Sequence, residues 1–121
     1  MPRLRRKKHT ILYFCCDDNA LQLRAVLLRK GYRVLASSNG FETMELCTRK
    51  PVDAVVLDLD RNCAEVALLA REIKKRRPQV PTIVLAETAA AVGGVHELAD
   101  VLVPKADHAA LAKSLRNLLP A

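Results

Sequence analysis

The stretch Pro51-Val52-Asp53-Ala54-Val55-Val56-Leu57-Asp58 constrains this chain most. Its apolar residues run unbroken into a carboxylate, with a second carboxylate five positions earlier. A short apolar run with polar bounds reads as a strand buried on both faces. Such a strand belongs in the middle of a parallel sheet covered by helices. Asp58 then emerges at the carboxyl edge, where ligands and chemistry collect in open α/β folds. An Asp at a strand end is also a common helix cap or turn residue, so the rest of the chain decides its role.

The same pattern recurs. Ile11-Leu12-Tyr13-Phe14 reads as a buried strand within residues 9–16, and Asp17, Asp18 and Asn19 behind it are good helix caps. Leu21, Val26, Leu27 and Leu28 give a helical apolar face that stops at Lys30-Gly31. Residues 32–36 form a second strand. Asn39, with Glu42 three positions on, resembles a capping box, and Phe41, Met44 and Cys47 or Leu46 supply that helix's inner face. The third strand covers residues 53–58. A helix is predicted over Cys63–Arg76, with Val66, Leu69, Ala70 and Ile73 inward. Thr82–Ala86 is a fourth strand and residues 101–103 a fifth. Residues 88–95 are Ala-rich but broken by Gly93-Gly94, so a helix there is short or late. Asp107 caps a last helix whose Leu111, Leu115, Leu118 and Leu119 fall at i, i+4, i+7 and i+8.

Strands that alternate with helices over short connections, joined by right-handed crossovers, give one parallel sheet with helices on both faces. The 121 residues suffice for one domain, which buries roughly two-thirds of its unfolded surface without disulfides or metal. With two Tyr, two Phe and no Trp the core must be aliphatic. No apolar stretch reaches the length of a membrane span and no signal-peptide core follows the charged start, so a cytoplasmic protein is expected.

The formal charge of +7 is unevenly placed. Arg3, Arg5, Arg6, Lys7 and Lys8 stand together without an acid, and residues 1–9 read as a basic, disordered tail ahead of a domain over residues 10–121. Lys74-Lys75-Arg76-Arg77 falls at a helix end, where cations suit the helix dipole. The sharper reading of the tail is an arm for nucleic acid or an anionic membrane, but the solvated tail is preferred. No aromatic residue interleaves either run, which weakens a stacking role on single strands, and nucleic acid is not expected as a partner. Cys15, Cys16, Cys47 and Cys63 form no C-x-x-C and have no His at zinc-finger spacing, so free thiols are expected.

Several segments together resemble the response-regulator receiver domain, over about residues 10–119. Val-Asp-Ala-Val-Val-Leu-Asp58 resembles the strand that ends in the family's phosphoacceptor aspartate. Arg71-Glu72-Ile73-Lys74 through Arg77-Pro78-Gln79-Val80-Pro81 looks like its third helix and the turn into strand 4. Ala99-Asp100-Val101-Leu102-Val103-Pro104-Lys105 resembles the stretch with its active-site lysine, and Gly31-Tyr32-Arg33-Val34 its approach to strand 2. The resemblance implies a flavodoxin-like (CheY-like), doubly wound five-stranded sheet of order 2-1-3-4-5. It implies Asp58 as phosphoacceptor, Lys105 as the cation facing the phosphoryl group, and Mg2+ held by oxygen ligands. The metal ligands would be Asp58 with Asp17 and Asp18, if those two are the family's strand-1 acid pair. In the alternative register, which needs only about one residue removed from helix 1 and is preferred, that pair falls on Cys15 and Cys16. Thiols suit Mg2+ poorly, so binding would be weak.

Other positions depart as well. Ala86 stands where strand 4 carries a hydroxyl, with Thr88 two residues on. Leu102 replaces the aromatic switch residue of strand 5. Ala106 follows Lys105 in place of proline, and Leu59-Asp60-Arg61-Asn62-Cys63 replaces the family's Met-Pro turn. The reading that follows is a receiver domain in two-component phosphorelay signalling. It takes a phosphoryl group on Asp58 from a histidine kinase or phosphotransfer protein and signals by binding a target protein. It is not an enzyme beyond that self-phosphorylation, and no output domain is expected in the chain. One alternative is a degenerate receiver that binds partners without phosphate; another is a thiol redox or soft-metal sensor using Cys15, Cys16 and Cys63.

Overall fold

The computed structural model describes residues 8–15, 20–59, 63–87 and 99–119. Outside them lie most of the basic tail, Cys16, Asp17 and Asp18, Asp60 and Arg61, Thr88 and the rest of the Ala-rich stretch; the side chain of Cys63 is also outside the description. The element order is β1 (Thr10–Phe14), α1 (Ala20–Arg29), β2 (Arg33–Ser37), α2 (Gly40–Arg49), β3 (Ala54–Asp58), α3 (Cys63–Arg76), β4 (Thr82–Ala86), β5 (Val101–Pro104) and α4 (His108–Leu118). The five strands form one sheet of order β2-β1-β3-β4-β5, and every neighbouring pair is parallel.

The apolar runs explain the order. All five residues of β3 and of β4 are buried, as befits strands covered on both faces. The pleat sends alternate residues to opposite sides. Ile11, Tyr13, Ala54 and Val56 pack with Leu23, Leu27, Leu111 and Leu115 of α1 and α4. Leu12, Phe14, Val55 and Leu57 pack with Val66, Leu69 and Ile73 of α3 and with Cys47 of α2. Each fully buried aliphatic side chain contributes about 1.5–3 kcal/mol, so two cores make good the lack of aromatic bulk.

Local signals set the ends. Gly31 takes φ 95 behind α1, a conformation that costs glycine little. Asn39 Oδ1 accepts the Glu42 N–H at 2.8 Å and Asp107 Oδ1 the Ala110 N–H at 2.9 Å. Asp53 accepts the Thr10 N–H at 2.7 Å and Asp100 the Thr82 N–H at 2.7 Å. Both acids therefore tie strand starts together at the amino edge, away from Asp58.

Two helix faces differ from expectation. Leu21 is 73% exposed and Leu28 50%, because α1 buries Leu23 and Leu27. Phe41 is 78% exposed, because α2 buries Thr43 and Cys47. Leu21 and Phe41 each precede the first buried residue by two positions, about 200° around a helix, and so face away. Thr43 is drawn inward by polar bonds. Its hydroxyl donates to the Asn39 carbonyl at 2.8 Å and accepts from Ser37 Oγ at 2.6 Å.

Candidate functional site

Asp58 is the last residue of the central strand and its side chain is buried. Phe14 pairs with Leu57, so Cys15, the first residue after β1, follows on opposite Asp58. Cys15 and Tyr13 are two apart in an extended chain and point to the side that Asp58 faces. The Tyr13 hydroxyl donates to Asp58 Oδ2 at 3.2 Å and the Cys15 thiol to the same oxygen at 3.4 Å.

The other oxygen faces β5. Pro104 pairs with Ala86, and the Lys105 N–H continues the ladder by donating to the Ala86 carbonyl at 3.0 Å. From there the lysine stem crosses above β4, and its Nζ forms an ion pair with Asp58 Oδ1 at 2.9 Å. Oδ2 thus faces two protein donors, while Oδ1 faces the Lys105 cation. No cis peptide bond occurs among the described residues, the Lys105–Ala106 bond included.

A cavity of about 560 Å³ opens over the pair. Its polar lining is Tyr13, Gln22, Asp58, Glu87, Lys105 and His108. Pro104, Lys105 and Ala106 at the end of β5 form one wall, and α1 forms the opposite wall through Gln22 and Leu23. Tyr13, Glu87 and His108 were not singled out in the sequence. Tyr13 reads as core in the sequence and only the register of β1 against β3 brings it here; Glu87 follows β4 and His108 opens α4, and sequence spacing does not give the geometry of those connections.

Burial, above all, pushes the Tyr13 phenol far above its ordinary pKa, and the Cys15 hydrogen bond and the Asp58 charge add to that. The phenol is therefore a permanent donor. Burial likewise raises the Cys47 thiol, with Arg77 and Arg76 opposing it. A raised folded-state pKa means the unfolded chain loses protons first. Stability from these groups is full below their unfolded pKa values and declines above them. Between about pH 9 and 11, unfolding free energy is expected to drop by up to about 1.4 kcal/mol per pH unit for each group. Urea unfolding across this range checks it, with Tyr13→Phe expected to flatten the slope by one group's share. An unchanged slope in that variant would contradict the assignment.

Magnesium, which the resemblance implies, does not fit the described donors. Mg2+ takes hard oxygen ligands in a near-octahedral shell. Here β1 is followed by a thiol that donates a hydrogen bond to Asp58, beside a phenol that does the same. No group of three His, Cys, Asp or Glu side chains suited to a metal occurs among the described residues. The end of the strand brings Cys15 to Asp58, while Cys16, Asp17 and Asp18 lie outside the described residues. Leu102 is half-buried on β5 and Ala86 is buried on β4, with no hydroxyl and no ring between them.

No protein-family model matches the sequence. No curated protein matches it either. Solved structures do match. The response regulator TrrA from Thermotoga maritima, in complex with Mg2+–BeF, superposes with TM-score 0.83 at 24% identity, covering 92% of this chain and 99% of that one. A structure of the histidine kinase ThkA in complex with TrrA gives 0.81 at 24% identity, covering 93% and 99%. A CheY-like receiver domain from Methanospirillum hungatei gives 0.79 at 18% identity, covering 92% and 93%. At these identities the likeness is one of fold, and the chain has the CheY-like receiver fold over most of its length.

Proposed function

We propose that this chain is a receiver module of two-component signalling that takes a phosphoryl group on Asp58 and signals by contact with a partner protein. The observation that carries the reading is the Asp58–Lys105 pair, 2.9 Å apart at the carboxyl edge of a sheet ordered as in receivers. TrrA, bound by the kinase ThkA, supports a histidine kinase as donor. Among the described residues no helix is long and apolar enough to cross a membrane.

The chemistry follows from the two oxygens. Tyr13 and Cys15 hold Oδ2, which leaves Oδ1 as the nucleophile. Oδ1 attacks the phosphorus of a phosphorylated imidazole. The O–P bond forms, the P–N bond breaks, and the electron pair stays on the ring nitrogen, which takes a proton from water. The Lys105 ammonium then lies beside the phosphoryl oxygens and offsets their charge. The protein transfers the group to itself and turns over no small substrate.

Intact-mass spectrometry after incubation with phosphoramidate tests this. One phosphoryl group per chain is expected, labile to hydroxylamine as an acyl phosphate and absent in Asp58→Asn. Labelling that persists in that variant would refute the assignment.

A further inference from the structure

In the sequence the basic pairs are scattered, and each reads alone as a helix end. The fold gathers them. Parallel strands all start at one edge of the sheet, and the helices between them all end there. α1 ends on Arg29 and Lys30, α2 on Arg49 and Lys50, α3 on the 74–77 run, and α4 carries Arg116 in its last turn. Lys8 and Arg33 precede or begin strands at the same edge. This amino edge therefore holds eleven basic against four acidic side chains among the described residues. Away from it the described charges nearly cancel, four basic against five acidic.

The acids at this edge are already engaged. Glu45 pairs with Arg49 at 3.1 Å, Glu72 with Arg76 at 3.7 Å and Asp100 with Lys74 at 2.7 Å, and Asp53 accepts the Thr10 N–H. Arg29, Lys30, Arg33, Lys50 and Lys75 are exposed, with no acidic partner among the described residues. Helix dipoles explain part of the pattern, but each helix end offsets only about half a charge. Four helices leave most of the excess in place.

We infer that this amino edge binds the phosphate backbone of duplex nucleic acid, without reading base sequence. Four gaps of about 4.8 Å between five strands make a face about 20 Å wide. A duplex carries one phosphate per about 1.7 Å of axis, so about a dozen lie within that width. A bilayer surface fits less well, because of the large exposed apolar residues among those described only Leu28 lies near this edge to insert. Base readout is excluded by the shape of the edge. The helices present their C-terminal ends, so none can lie along the major groove. This surface is opposite the Asp58 cavity and stands independently of the proposed phosphoryl chemistry.

Fluorescence anisotropy of the whole chain with a labelled random-sequence DNA duplex tests it. Binding in the micromolar range is expected in low salt, falling about 100-fold between 50 and 200 mM salt, the slope of about four phosphates. Lys30, Lys50 and Lys75 changed together to Glu should lose at least about 30-fold. Arg24, Arg71 and Lys113 changed to Glu make the same charge change at mid-helix positions and should lose under about threefold. Equal loss in both triples, no binding at low salt, or tighter binding to phosphatidylserine vesicles than to the duplex would each overturn the inference. Circular dichroism melting of both triples confirms that each folds.

Discussion

Cys15→Asp is expected to destabilise the domain by about 3 kcal/mol in chelator, and to make its stability respond to Mg2+ more strongly than the natural chain's weak expected response. The thiol now donates to Asp58 Oδ2 at 3.4 Å. A carboxylate there removes a donor and sets two acids in one buried site. One of them must bind a proton or go unpaired, and either state costs folding free energy at neutral pH. A divalent cation removes the conflict. A ligand at 100 times its Kd stabilises by about 2.7 kcal/mol, so about 10 mM Mg2+ should recover most of the loss if the site binds in the range of 0.1 mM. Thermal unfolding with EDTA or Mg2+ reads this directly. A natural chain whose melting rises as much as the variant's would show that Asp17 and Asp18 hold the ion, and that the thiol register is not what sets the metal response.

Lys105→Met should have the second large effect. It leaves Asp58 buried without its cation. Breaking a buried pair by removing one partner costs about 3–5 kcal/mol. The lysine side chain is 21% exposed, so water reaches it and about 2–3 kcal/mol is the expected loss. The double variant Asp58→Asn with Lys105→Met should be more stable than Lys105→Met alone, because the stranded charge is gone. Phosphoryl uptake in Lys105→Met should slow by about 100-fold or more, in line with removing one preorganised charge from a developing oxyanion. Additive losses in the double variant would mean that the 2.9 Å contact carries no coupling.

The sheet was readable because its determinants are local. Thr82–Ala86 and residues 54–58 are buried throughout and nearly all apolar, as suits a central parallel strand. Asn39 and Asp107 name their helices by cap chemistry. Phe41 and Leu21 were misread, since size and apolarity suggested an inner face, whereas the i, i+4 pairs Thr43/Cys47 and Leu23/Leu27 set it. No hydropathy pattern reveals that a threonine is taken inward by Ser37 and Asn39. Asp58 and Lys105 were legible as strand-end residues of a resemblance. Tyr13 was not, because its aromatic ring reads as core while only the three-dimensional register brings its hydroxyl to Oδ2. The amino-edge charge was illegible for a similar reason: its residues are spread from Lys8 to Arg116 and share only an edge.

A phosphoryl group on Asp58, as proposed, has few routes into the β4–β5 face. Ala86 has no hydroxyl to bond a phosphoryl oxygen, and Leu102 has no ring to relocate. A hydrogen bond to a charged group contributes about 1.5–3 kcal/mol, as much as a typical coupling of about 1–3 kcal/mol between sites. A ligand moves a conformational equilibrium only through contacts that differ between the states. The most direct test is hydrogen-exchange mass spectrometry on phosphoramidate-treated protein, which reads the covalent group and the backbone response in one sample. The expected result is a phosphoryl group on Asp58 with exchange across residues 82–87 and 99–106 changed by less than about twofold. Strong protection of those residues that is lost in Asp58→Asn, or no phosphoryl group on Asp58 at all, would contradict the account.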